Sequence, residues 1–392
     1  MPDLKDLAAE IDRCSQCNFC LAACPVYRED RLESSGARGR INLVKAALLD
    51  QTLPVSGRVR ELIDRCLLCT NCVQTCPASI RVDDIVAAAR ANLPNRNPAE
   101  RMLLRRLLDR RAVSGVVGSL LKGLNLFNLP SLANPPLQQR LPAAVRPDGP
   151  VSARVAYFVG CGVNYLYPDT GEALVKVFSA NGVEVVIPAG QQCCGLPALA
   201  RGDKEMAREA VRANAALFAP LDVDAVVTDC TSCGYMLKVQ VTALLPPDDP
   251  ALPAAQAVAG RIVEATEFLA ALGLQRQPRT QAVTVTYHVP CHRHWSAALA
   301  DAPPKIAALV PGARFVPLRE PRRCCGAGGA FFLSHRELSA SIRGPKIEDI
   351  VATGAQVVLT QCPACRYFLQ EGLGTESGVR VMHPLAFLAG GC

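Results

Sequence analysis

Ten cysteines in the last 240 residues fall into one pattern written twice. No other feature of the chain limits its fold so severely. RVAYFVGC ends at Cys161, GVEVVIPAGQQCCG carries Cys193 and Cys194, and DAVVTDCTSC carries Cys230 and Cys233. VTVTYHVPC then ends at Cys291, ARFVPLREPRRCCG carries Cys324 and Cys325, and AQVVLTQCPAC carries Cys362 and Cys365. The gaps are 31 and 35 residues in the first copy and 32 and 36 in the second, the mark of a repeated structural unit. Neighbouring cysteines are poorly placed to bond each other, so each vicinal pair requires another partner.

Between the cysteine stations, β-branched apolar segments alternate with helical candidates such as DTGEALVKVFSANG, KEMAREAVRANAALFAP and RELSASIRGPKIEDIVATG. That alternation predicts parallel sheets with helices packed on them. The cysteines then fall at the carboxyl ends of strands, where open α/β sheets place their ligand sites. Helix N-termini following the cysteines would favour an anionic group there. Three strand ends bring five sulfurs to one point in each copy, more than tetrahedral zinc or a regular cubane cluster uses. The surplus has two readings: open coordination for a sulfur atom of a substrate, or packing thiols beside zinc or an ordinary cluster.

The first quarter carries a different pattern. CSQCNFCLAACP at residues 14–25 and CLLCTNCVQTCP at 66–77 are both CxxCxxCxxxCP, the spacing that wraps a cubane [4Fe-4S] cluster and lends its fourth cysteine to the other cluster. Cys14, Cys17, Cys20 and Cys76 are expected around one cluster, and Cys66, Cys69, Cys72 and Cys24 around the other. Paired zinc sites would have no use for the crossed fourth cysteine. Between the runs, SSGARGRINLVKAALL has helical apolar spacing in its second half, and Arg38 and Arg40 are either partners for the clusters or ordinary hydrogen-bonding arginines.

Nineteen cysteines in a chain of 392 residues are not a disulfide framework if the chain stays in a reducing compartment. The opening MPDLKDLAAEID is polar and acidic where an export signal is basic and then apolar, and no apolar run reaches bilayer length, so the expectation is a cytoplasmic protein with no transmembrane segment. The formal charge is +7, spread along a chain with one Trp and seven Tyr, a pattern that argues against nucleic acid as a partner. Residues 93–150 are rich in Pro and Asn and read as a linker. Within it, AERMLLRRLLDRRAV is a basic amphipathic helix that either packs on the cluster domain or touches an anionic membrane surface on the inner face of the cell membrane. No GxGxxG follows a strand, so no nucleotide or flavin site is expected in this chain.

Taken together, these motifs resemble the CCG-domain (cysteine-rich domain) iron-sulfur subunits of heterodisulfide reductases and of flavin-linked glycolate, lactate and anaerobic glycerol-3-phosphate dehydrogenases. RCSQCNFCLAACPVYR, GARGRINLVKAALL and DRCLLCTNCVQTCPASIRV look most like the glycolate oxidase subunit, which commonly lacks several of the ten repeat cysteines present here. The resemblance implies an α/β protein with an α-helical N-terminal domain: a ferredoxin-type domain with two [4Fe-4S] clusters at 1–92, the linker at 93–150, a first CCG domain at 151–280 and a second at 281–392. It also implies up to two noncubane [4Fe-4S] clusters, at Cys161, Cys193, Cys194, Cys230 and Cys233 and at Cys291, Cys324, Cys325, Cys362 and Cys365, with zinc possible at one.

Two functions follow as expectations. One is electron relay from a flavoprotein dehydrogenase or other redox subunit to a quinone or other acceptor. The other is disulfide reduction between the two CCG sites. His288, His292 and His294 flank Cys291 and are candidates for donating a proton to a released thiolate. Cys392 matches no motif.

Overall fold

A computed structural model describes residues 3–93, 132–276, 278–329 and 331–390. The basic helix expected in the linker and Cys392 lie outside the described residues. Up to residue 93 the described chain is helix and turn. As the spacing predicts, a helix occupies Ala37–Val44 between the cysteine runs and continues as a π-helical turn, Lys45–Leu49. Helix Val82–Asn92 packs against it and buries Ile85, Val86, Ala88 and Ala89. Its Asp83, Asp84 and Arg90 are buried too, because it is enclosed by the repeats as well as by its own segment.

The repeats form two sheets. The first contains β1 (Ala144–Val145), β2 (Ala153–Tyr157), β3 (Val183–Val186), β4 (Ala225–Thr228) and β5 (Ile262–Glu264) in the order β1-β3-β2-β4-β5. The second contains β6 (Val283–Tyr287), β7 (Ala313–Phe315), β8 (Val357–Leu359) and β9 (Arg380–Met382) in the order β7-β6-β8-β9. Apart from the antiparallel edge strand β1, every pairing is parallel. The registers repeat: Tyr157 lies opposite Val227 as Tyr287 lies opposite Leu359. β1 arises at the end of the linker, and the short β5 and β9 extend each repeat beyond the last cysteine that marks it in sequence.

Apolar side chains of both sheets, including Val155, Val185, Val285 and Val357, meet in one core, with helix Pro168–Ala180 covering the first. Two further clusters tie the N-terminal segment down. Ile85 and Val86 share a core with Phe158, Val226 and Trp295, and Val26 and Leu67 share one with Cys324, Phe331 and Ile342. The helical segment therefore packs on both repeats, at the ends of the strands that carry the cysteines.

Candidate metal centres

The cysteines of the two N-terminal runs line two cradles. One, about 400 Å³ including space open to solvent, is lined by Cys14, Cys17, Cys20 and Cys76. The other, about 390 Å³, is lined by Cys24, Cys66, Cys69 and Cys72. Cys72 borders the first as well, so the two are neighbours. In both runs the residues on either side of the middle cysteine take left-handed backbone conformations: Gln16 and Asn18 around Cys17, Leu68 and Thr70 around Cys69. Leu and β-branched Thr adopt positive φ rarely, so the tight winding is imposed by the cysteine spacing and held by packing. Four sulfurs around each cradle, on loops wound the same way, suit an iron-sulfur cluster.

The outer cradle is the wetter one. Cys17 is exposed, and the Phe19 backbone N–H helps hold its thiol below the ordinary range. In the inner cradle burial pushes the Cys69 thiol up to about 12 and Cys72 well above the ordinary value, with the Arg40 guanidinium partly offsetting the rise at Cys69. Arg40 is fully buried beside it, with Nε donating to the Leu62 carbonyl at 2.8 Å and Nη1 4.0 Å from Cys24 Sγ. Arg38 instead holds the outer loop, donating to the Gln16 carbonyl at 3.0 Å and pairing with Glu33.

In the first repeat Cys193, Cys194, Cys230 and Cys233 are buried and Cys161 half-buried. Cys193 and Cys161 sulfurs are 3.7 Å apart. A Cβ on Gly160 would sit 2.9 Å from Cys233 Sγ, so glycine there lets the first station approach the third. Thiol donation from Cys193 and Cys233 holds Cys194 down at about 5. The second repeat mirrors this: Cys325 and Cys365 sulfurs are 3.1 Å apart, and Cys324 and Cys365 hold Cys325 well below the ordinary thiol range. The second member of each vicinal pair is thus held down by donation from neighbouring thiols in both repeats. Helices begin at Cys161, Thr231 and Pro363, as expected. Cys291 differs: residues 291–295 form a turn, because His292, His294 and Trp295 are drawn against neighbouring elements.

The sites are contiguous. Cys230 donates to Cys362, which lies well below the ordinary thiol range, and the Thr231 N–H donates to the Gln361 carbonyl at 3.1 Å, so the corresponding turns of the two repeats meet. Cys69 of the inner cradle adds to the forces that push Cys291 and Cys324 upward, after burial for the former and after Cys325 and burial for the latter. His292 spans three of the loops. Its Nε2 donates to the Leu68 carbonyl at 2.8 Å, which leaves Nδ1 to accept from Ser232 at 3.0 Å, and Ser232 Oγ is 3.8 Å from Cys362 Sγ. His294 meets Thr70 at 3.4 Å and lies tilted against the Tyr235 ring, with centroids 5.1 Å apart. Of the three candidate histidines, His288 alone brings a ring nitrogen within 4.8 Å of Cys325 and Cys365 sulfurs.

Sequence reasoning missed the buried polar layer behind the cysteines. Tyr157 donates to Asp229, the residue before Cys230, and Tyr287 donates to Gln361, the residue before Cys362. Burial raises Asp229 to about 7 and Glu264 to about 8, and lowers His383 to about 3. The repeated tyrosine at the end of β2 and β6 was the available signal for the first two.

Comparison with known proteins agrees with this layout. Residues 10–80 match the 4Fe-4S dicluster domain, and residues 155–238 and 285–370 each match the cysteine-rich domain. The chain is 28% identical over 411 residues to the probable glycolate oxidase iron-sulfur subunit of Bacillus subtilis, covering 95% of this chain and 92% of that one. It is 28% identical over 381 residues to one subunit of the fumarate reductase (CoM/CoB) of Methanothermobacter marburgensis, covering 96% and 71%. It is 27% identical over 400 residues to one subunit of the dihydromethanophenazine:CoB–CoM heterodisulfide reductase of Methanosarcina mazei, covering 94% and 92%. A crystal structure of a hypothetical protein from Helicobacter pylori shares the fold, with a TM-score of 0.53 at 10% identity over 99% of this chain and 76% of that one.

Proposed function

We propose that this chain, which belongs to the family of cysteine-rich-domain iron-sulfur subunits, relays electrons within an oxidoreductase complex. The observation that carries the reading is the unbroken succession of cysteine sets, from exposed Cys17 through the inner cradle to Cys291 and Cys324 and on to Cys230. Iron-sulfur clusters in these sets would supply one-electron carriers, cubane in the two cradles and noncubane in the repeats. The thiols of Cys14, Cys17, Cys20 and Cys76 would hold the outermost, and Cys66, Cys69, Cys72 and Cys24 the next. Cys161, Cys193, Cys194, Cys230 and Cys233 would serve the first repeat, and Cys291, Cys324, Cys325, Cys362 and Cys365 the second.

Exposed Phe19, beside Cys17, offers an apolar contact to a redox partner at the open end. The similarity to a glycolate oxidase subunit points to a flavoprotein dehydrogenase of small 2-hydroxy acids or polyol phosphates as that partner, with a quinone or other acceptor beyond. Among the described residues no helix is long and apolar enough to cross a membrane.

A second reading is favoured by one specific feature: both repeats keep all five cysteines, and their sites touch at Cys230 and Cys362. Two adjoining five-thiol sites suit the two halves of a disulfide, reduced as RSSR′ + 2 e⁻ + 2 H⁺ → RSH + R′SH with electrons delivered through the cradles. Similarity to a heterodisulfide reductase subunit supports this alternative.

Anaerobic purification with native partners, followed by iron and zinc determination and electron paramagnetic resonance, tests both readings. Full loading gives about sixteen irons for four four-iron sites. A copurifying flavoprotein that reduces the chain in the presence of glycolate or lactate supports relay. A paramagnetic signal that appears only when thiol is added under oxidation supports the disulfide reading. About eight irons with bound zinc sinks both as stated, since the repeats would then carry no electrons.

A further inference from the structure

The two repeats provide an internal comparison, and their sites are not chemically equal. Phe158 and His288 occupy the same place, each following the strand tyrosine and donating its backbone N–H to the neighbouring strand, at Val227 O (2.8 Å) and Leu359 O (3.0 Å). Phe158 packs its ring on Phe218. His288 is equally buried, 1% exposed, but places an imidazole there. Neither of its ring nitrogens has an oxygen or nitrogen partner in the protein, and one lies within 4.8 Å of the Cys325 and Cys365 sulfurs. A buried imidazole without such a partner is costly unless it serves those sulfurs or the group they hold.

A second exchange lies on the helix behind each vicinal pair. Gly195 packs on Ala207 and Gly326 on Ser339, which aligns helix Lys204–Phe218 with helix Arg336–Ala352. Seven residues further along stand Asn214 in the first repeat and Lys346 in the second. Asn214 is neutral and holds the loop before the pair, with Oδ1 accepting from Gln192 N at 2.9 Å and Nδ2 donating to Cys193 O at 3.1 Å. Lys346 is wholly buried, donates to the Glu320 carbonyl, and lies within electrostatic reach of Asp349, Cys325 and Cys324; burial lowers it to about 8, which keeps it an ammonium at neutral pH. The second site therefore has an imidazole and an ammonium where the first has a phenyl ring and a carboxamide.

We infer that His288 and Lys346 make the second cysteine-rich site the electron-accepting member of the pair, with a higher reduction potential than the first. Hydrogen bonds to ligating sulfurs and nearby positive charge stabilise the more negative reduced state, and potentials of iron-sulfur centres are set by these terms. The second site is also the one whose Cys291 and Cys324 feel Cys69 of the inner cradle, so the better acceptor lies next to the supply. The inference rests on the reading that both repeats hold iron-sulfur centres.

Its test is a redox titration of the iron-loaded chain under argon, followed by electron paramagnetic resonance and Mössbauer spectroscopy. The repeat centres should fill in two separate steps. His288→Phe and Lys346→Asn, which install the residues of the first repeat, should move the higher-potential step toward the lower at unchanged iron content. Phe158→His should move the lower step upward. One shared step in the native chain overturns the inference, as does a His288→Phe protein with full iron and unmoved steps. Should His288→Phe lose iron, Phe158→His decides by itself, and an unmoved lower step overturns the inference. An iron count near eight overturns instead the parent reading that the repeats hold clusters, a result separate from full loading with coincident steps.

Discussion

At the scale of single residues, the buried acids carry the clearest consequence. Glu264 is fully buried at the end of β5, accepts from Thr266 and from Glu267 N at 3.2 Å, and has His383 Nε2 3.9 Å away. Burial raises it from 4.5 to about 8, and the His383 facing it, lowered to about 3, is neutral and gives no countercharge. The folded state therefore keeps a proton that the unfolded chain releases above about pH 4.5. By linkage the Glu264 contribution favours folding below that pH, declines as pH rises toward 8 and is constant above it. Glu264→Gln retains the hydrogen-bonding shape without the charge. Its unfolding free energy should fall less than that of the native chain between pH 5 and 8, a difference on the order of a few kcal/mol that the denaturation midpoints report. Parallel midpoints for the two proteins would remove Glu264 as the source.

Beyond the repeated tyrosine at the ends of β2 and β6, this acid layer left no mark in the sequence. Glu264 and Asp229 look like surface carboxylates until strands from three places close over them. The cysteines are the opposite case, because ligand spacing is a local property and the chain writes it directly. Even there the three histidines of YHVPCHRHW could not be sorted. His288, on the strand side of Cys291, faces sulfur, whereas His292 and His294, beyond it, face the N-terminal loops.

At the scale of elements, each CxxCxxC loop is a left-handed winding followed by a short helix, Phe19–Ala23 or Asn71–Gln74, that sends the fourth cysteine across to its neighbour. Cys76 stands in the second run in sequence but lines the cradle of the first in space. Cys76→Ser should therefore perturb the centre held by Cys14, Cys17 and Cys20 and spare the one held by Cys66, Cys69 and Cys72. Two resolved cubane signals, of which the more solvent-accessible is lost, is the expected spectrum, and loss of the inner signal instead would refute the crossed assignment. Six of the parallel strands and the helices at Ala37–Val44, Pro168–Ala180, Lys204–Phe218 and Arg336–Ala352 also followed from pattern, since β-branched runs and amphipathic spacing are short-range signals. β5 and β9 did not, because no cysteine station follows either strand to mark it in the repeat. Helix Arg336–Ala352 continues through Pro345, where local rules would end it. Ser339 on Gly326 and Arg343 on Glu371 before the proline, and Lys346 on the Glu320 carbonyl after it, hold the helix on both sides.

At the scale of the whole molecule, one of the contacts that join the repeats lies directly between their cysteine turns. Trp295, just after Cys291, donates its indole N–H to Thr231 O and His292 O, each at 3.0 Å, and lies flat on Gly234, just after Cys233. A Cβ on Gly234 would meet Trp295 Cζ2 at 2.1 Å, with the rest of the ring close behind. Gly234→Ala should therefore push the second repeat's cysteine turn off the first, at a cost of about 1–3 kcal/mol typical of overpacking. A lowered melting temperature with weakened magnetic coupling between the repeat centres is the expected result, and native values for both would show that the contact can slide.

Sequence by itself determined the inventory: eight cysteines in two ferredoxin runs, ten in a repeated α/β unit, and hence the fold class and the chemistry of the ligands. Those follow because a metal loop and an amphipathic strand are each encoded within a few residues. Only the tertiary structure decided the order of the sites, with Cys69 against the second repeat and Cys230 against Cys362, and the inequality that His288 and Lys346 create between them. Proximity of that kind arises from packing three separately encoded segments into one body, and no local spacing records which faces will meet.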